Sequence, residues 1–76
     1  DTVVADSATV DGSTLGENVH VMAGATVRDS TVEGSLVFPD ATVEETDLRD
    51  TIIDHEAVVR DLALSGALVG AHSQLP

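Results

Sequence analysis

Cysteine, tryptophan, tyrosine and lysine are all missing from this 76-residue chain, and phenylalanine and methionine occur once each. Without cysteine there is no disulfide scaffold and no thiolate metal site. With almost no aromatics, a core has to be assembled from aliphatic side chains. No apolar run approaches the roughly 18 residues of a membrane span, and no signal peptide heads the chain. A cytoplasmic location is therefore expected, with no membrane partner. Basic charge is scarce too: three Arg stand against nine Asp and five Glu, for a net charge of −11. Such a polyanion repels nucleic acid phosphates and anionic lipid, so no nucleic-acid partner is expected either.

What the chain has in quantity is repetition. The stretch Ser13–Asp29 (STLGENVHVMAGATVRD) returns with substitutions as 30–45, 46–61 and 62–76, so the period is 17 once and 16 thereafter. Self-similarity at a fixed period marks a repeat architecture and takes precedence over local readings. Three aliphatic rows run through the repeats. The first is Leu15, Val32, Leu48, Leu64; the second Val4, Val21, Val37, Ile53, Val69; the third Val10, Val27, Val43, Val59, Leu75. Fourteen of the chain's 21 Val, Ile and Leu residues fall in these rows, five or six residues apart. Two positions before each row residue stands a small side chain or Thr in 12 of 14 cases, the exceptions being Val19 and Leu62.

A helix would scatter a five-to-six spacing around its circumference. Short strands joined by tight corners keep it on one side, with the small residue tucked into the corner behind each inward aliphatic. Three strands per turn close a triangle, and successive coils stack at about 4.8 Å. The expected fold is all-β: a single-stranded parallel β-helix of nearly five triangular coils of 16–17 residues. It forms one domain, residues 1–76. The chain begins in the middle of a turn, with Thr2 already the corner residue for Val4, and stops at Leu75 and Pro76 halfway round a coil, so a fragment of a longer chain, cut mid-coil at both ends, is expected.

The outward positions sort by row. Beside row three, Asp11, Arg28, Glu44 and Arg60 alternate in sign from coil to coil, and beside row one Glu33 falls under Arg49. Each exposed pair is worth under about 1 kcal/mol and serves register. Beside row two lie Val3, His20, Leu36, Ile52 and Leu68 on one side, with Met22 and Phe38 among the residues on the other. A contiguous apolar strip marks a contact. These seven residues are the proposed interface, toward a second copy of the chain or another domain of the same chain.

Groups with chemistry to offer are few. Three histidines are candidates: His20 on a strand exterior, and His55 and His72 at corners of different coils. A zinc site needs three or four ligands within about 2.0–2.1 Å of the metal, whereas His20 and His55 are two coils, roughly 10 Å, apart. Paired carboxylates such as Glu44 with Glu45, or Asp47 with Asp50, are background in so acidic a chain. The six glycines fall at corners or just after an inward residue and make no phosphate-cradling run. No catalytic, cofactor-binding or metal residue is therefore assigned.

The unit [LIV]-G-x-x-x-x, present as LGENVH (Leu15–His20) and VGAHSQ (Val69–Gln74), resembles the hexapeptide-repeat family. The resemblance implies a left-handed helix, contrary to the general rule for parallel crossovers. The runs GATVRDSTVEGSLV, TIIDHEAVV and SGALVGAHSQL resemble the C-terminal β-helix of sugar-1-phosphate nucleotidylyltransferases, most closely the long glucose-1-phosphate thymidylyltransferase of archaea and actinobacteria. Such a parent enzyme joins a nucleoside triphosphate to a sugar 1-phosphate and releases pyrophosphate. Its magnesium and its Gly-rich, Arg-containing loop belong to an N-terminal catalytic domain, and nothing here matches that loop. The resemblance thus implies a non-catalytic module for oligomerisation or domain bracing, with no cofactor of its own. Its partners would be itself or the N-terminal domain. The alternative is a hexapeptide-repeat acyltransferase or a γ-carbonic-anhydrase-like trimer. Acyl transfer calls for a catalytic His and a protruding loop, and no insertion here exceeds one residue. The excess of Asp over Glu, with Lys eliminated, resembles the surface of a haloarchaeal protein.

Overall fold

The computed structural model describes Asp1 to Leu75; Pro76, with which the last repeat ends, lies outside the described residues. Fourteen strands of two or three residues follow one another along that stretch. They are β1 (Thr2–Val4), β2 (Thr9–Asp11), β3 (Thr14–Leu15), β4 (Val19–Val21), β5 (Thr26–Arg28), β6 (Thr31–Glu33) and β7 (Leu36–Val37), then β8 (Thr42–Glu44), β9 (Asp47–Arg49), β10 (Ile52–Ile53), β11 (Val58–Arg60), β12 (Ala63–Ser65), β13 (Leu68–Val69) and β14 (Gln74–Leu75). Every third strand joins the same sheet. The orders are β1-β4-β7-β10-β13, β2-β5-β8-β11-β14 and β3-β6-β9-β12, and the paired strands are parallel. The result is a parallel β-solenoid of about five turns. Among the described residues no helix is long and apolar enough to cross a membrane.

The three aliphatic rows are the three columns of the core. Val4, Val21, Val37, Ile53 and Val69 are successive register partners in the first sheet. Val10, Val27, Val43, Val59 and Leu75 are partners in the second, and Leu15, Val32, Leu48 and Leu64 in the third. In the inner coils these side chains are buried almost completely, at about 1.5–3 kcal/mol each. Val4 and Leu75, which have a neighbouring coil on one side only, are exposed.

Two kinds of corner turn the chain. After each first-sheet strand comes a four-residue turn, closed by hydrogen bonds such as Ala25 N to Met22 O (3.1 Å) and Ala41 N to Phe38 O (3.2 Å). The residue completing the turn is Ala25, Ala41 or Ala57 in the inner coils, each buried, because the triangle's apex has no room for more. The other corners are tighter, two residues between strands in most coils. At Ser13, Ser30, Ser35, Thr46 and Thr51 the small corner residue is hydroxylic, and these hydroxyls form ladders. Ser30 Oγ donates to Arg28 O (2.7 Å) and accepts from Thr46 N (3.1 Å). Thr51 Oγ1 donates to Arg49 O (2.8 Å) in the same way. Among the described residues no buried side-chain nitrogen or oxygen lacks a partner.

The sharpness of the corners requires left-handed backbone. Four glycines supply it, Gly12, Gly24, Gly34 and Gly66; Gly16 and Gly70 do not have positive φ. At Gly34 (φ +57) an added Cβ would lie 2.6 Å from Asp50 Oδ1 in the next coil, so a side chain there would strain the backbone and push the Asp50 carboxylate aside. The remaining left-handed positions are Asn18, Asp29, Asp40, Glu45, Asp50, Glu56, Asp61 and His72. Six of these eight are Asp or Glu, and Asp and Asn are among the residues that tolerate this region best. The single 17-residue period is absorbed between Leu15 and Asn18. Asn18 already occupies the corner site of Gly34, whose amide bonds the carbonyl of Glu17 (2.9 Å).

Candidate functional site

Two surface features rise above the solvated background. The first is the outer face of the first sheet. Val3, His20, Leu36, Ile52 and Leu68 are register partners from coil to coil, one column running the height of the solenoid. Val3 is 51 %, Ile52 37 % and Leu68 71 % exposed, and Leu36 is half-buried. Met22 and Phe38, immediately past β4 and β7, are half-buried beside it. Their amides still bond the next coil, Met22 N to Val37 O and Phe38 N to Ile53 O at 2.9 Å each, which fixes both side chains at the strip's margin. The sequence-derived interface residues therefore do lie along one face. Exposed His20 interrupts the column.

The second feature lies at one apex of the triangle. The turn 54–57 presents His55 and Glu56, and the turn 70–73 above it presents His72. His72 N bonds His55 O at 3.1 Å, so the two turns are stacked. The imidazole rings meet edge to face with centroids 5.1 Å apart. His72 Nε2 is 3.5 Å from Glu56 Oε1. His55 Nδ1 is 3.0 Å from Asp54 Oδ1, and the same oxygen accepts the His55 backbone amide at 2.7 Å. The Asp54 carboxyl is held below its ordinary value of 3.8, first by that backbone amide and then by the His55 side chain. Desolvation opposes the shift, and the charges of His55 and His72 add to it. An ionised Asp54 is an acceptor only, so the hydrogen of this contact sits on Nδ1 of His55.

Sequence spacing weighed His20 against His55, which lie on different elements. It did not weigh His55 against His72. These are 17 residues apart in a region of period 16, an offset that looks like a mismatch. In a parallel ladder the amide of one corner residue bonds the carbonyl just before its equivalent, so 55, 56 and 72 adjoin.

The charged columns follow the expected register. Asp11, Arg28, Glu44 and Arg60 are partners in series, as are Glu33 and Arg49. Contact is narrower than register. Glu44 is the shared ion-pair partner of Arg60 (3.1 Å) and Arg28 (3.8 Å). Among the described residues Arg49 closes no ion pair with Glu33, although both line one shallow depression on the third sheet.

Short three-sided coils, an aliphatic core column behind each side and a small residue at each corner define a hexapeptide-repeat solenoid. The chain belongs to the GlmU-like, C-terminal hexapeptide family, whose model matches residues 1–74. It is thus a hexapeptide-repeat domain of a GlmU-like protein. No curated protein matches it.

Proposed function

We propose that this solenoid is a non-catalytic module that oligomerises or braces a sugar-1-phosphate nucleotidylyltransferase of the glucose-1-phosphate thymidylyltransferase type, working in the cytoplasm of a halophile. The family assignment supports a place within a GlmU-like protein. The observation that carries the role is the column Val3, His20, Leu36, Ile52, Leu68 with Met22 and Phe38 at its edge. It is a largely apolar face, broken only by His20, on a chain otherwise rich in carboxylates, of the kind that marks a contact surface. Its partner is a second copy of the chain or the N-terminal catalytic domain. Nucleotide transfer and its magnesium belong to that domain. Magnesium takes near-octahedral oxygen ligands, which the imidazole-rich apex does not offer. The alternative of acyl transfer calls for a protruding loop, whereas connections between strands here are two to four residues long.

The test is the intact protein carrying Leu36→Asp and Ile52→Asp together. Oligomeric mass by light scattering should fall if copies meet at the strip. If the catalytic domain covers it, mass stays and amide exchange along β7 and β10 accelerates. Unchanged mass with unchanged exchange removes the reading.

A further inference from the structure

We propose that His55, Glu56 and His72 form a binding site for a zinc-class divalent transition metal, which clips two successive coils together at one apex of the solenoid. The ligand atoms of the three side chains already lie within 4.8 Å of one another. Tetrahedral zinc with bonds of 2.0–2.1 Å places its ligands about 3.4 Å apart, so the three groups must draw together by roughly an ångström. Half or more of each side chain is open to solvent, which leaves room for that movement. The side chains of His55, Glu56 and His72 are 50 %, 53 % and 64 % exposed, and they extend from turns whose backbones are bonded to each other.

The donor set selects the metal. Two imidazoles and one carboxylate suit zinc, cobalt, nickel or copper, whereas magnesium and calcium take oxygen ligands. Three protein ligands leave a fourth position for water. Asp54 supplies the orienting contact that metal-bound histidines commonly have: its carboxylate lies 3.0 Å from Nδ1 of His55, so the nitrogen left to the metal is Nε2. The backbone adds a further constraint. His72 and Glu56 both sit in left-handed conformation, at φ +62 and +57. This sets the Cα–Cβ directions of both residues and leaves their exposed side chains to adjust. The inference concerns the corner turns and does not depend on the apolar strip or on what the strip contacts.

The experiment uses untagged intact protein titrated with Zn²⁺ by calorimetry, and with Co²⁺ read by its visible absorption. His72→Asn keeps a residue that tolerates the left-handed backbone, and His55→Ala alters an exposed turn position, so both variants should fold. Wild type is expected to bind one more equivalent of Zn²⁺ than either variant and to give a tetrahedral Co²⁺ spectrum that both lose. Asp54→Asn should weaken that equivalent roughly 10–100-fold, and His20→Ala should leave it unchanged. Equal stoichiometry in wild type, His55→Ala and His72→Asn overturns the site. So does displacement of Zn²⁺ by an equal concentration of Mg²⁺, which would assign the binding to surface carboxylates.

Discussion

Ser35 Oγ accepts the amide hydrogen of Thr51, one coil on, at 3.1 Å, and donates its own hydrogen to the carbonyl of Glu33 at 2.8 Å. One buried hydroxyl thus satisfies two backbone groups that the tight corner takes out of the strand ladder. Thr51 repeats the donation and offers its oxygen to Ala67 N at 3.5 Å. Hydroxyls are the corner residues here because the turn frees polar backbone inside a dry core.

Ser35→Ala follows from that bond. The Thr51 amide loses its acceptor in a position without water, which costs about 1–3 kcal/mol. Exposed Ser65→Ala should stay within about 0.5 kcal/mol of wild type. Urea unfolding of the two variants separates them, and equal midpoints would contradict a structural role for the ladder.

Acid should act on Asp54 in one direction. Its carboxyl titrates below the ordinary 3.8 in the folded chain, chiefly because of the backbone amide and side chain of His55. The stability it lends is therefore present above the unfolded value and lost as pH falls through the lower folded one. NMR titration of the Asp54 carboxyl should show the low midpoint. His55→Ala should move it only part of the way back, since residue 55 keeps its amide. A midpoint unaffected by that substitution counts against the assignment.

Salt should stabilise this protein. Fourteen carboxylates against three Arg leave a net −11 to repel itself, and the Debye length shrinks from roughly 10 Å at 0.1 M to 3 Å at 1 M. Screening also weakens the pairs of Glu44 with Arg28 and Arg60, but these exposed pairs are worth under about 1 kcal/mol each. The melting temperature is therefore expected to be lower in ~50 mM salt than in molar salt. Identical melting in both would show that self-repulsion is negligible.

The core was legible because its signal is redundant. Val37, Ile53 and Val69 repeat at one spacing, each with a small or hydroxylic corner residue two positions earlier, and register partners in the structure match those rows. The corners were less legible. Asp29, Asp40, Asp50 and Asp61 read as surface charge in the sequence, yet all four hold left-handed backbone, so part of the acidic excess serves conformation. That requirement cannot be separated from solvation by composition alone. Arg49 shows the opposite limit: pairing with Glu33 was right in register, but side-chain contact depends on rotamers that spacing does not encode. The apex cluster is hidden from a count of coils, because the one-residue stagger of parallel hydrogen bonding brings 55 and 72 together.

Each strand pairs only with its counterparts directly above and below, sixteen residues away in the inner coils. Height is therefore a free variable of this architecture, set by counting copies and adjustable like the leaves of an extending table. Duplicating 31–46 in frame should lengthen the molecule by about 4.8 Å while every existing layer keeps its neighbours. X-ray scattering can measure that increment; a disordered rather than a taller particle would show that the layers are not interchangeable.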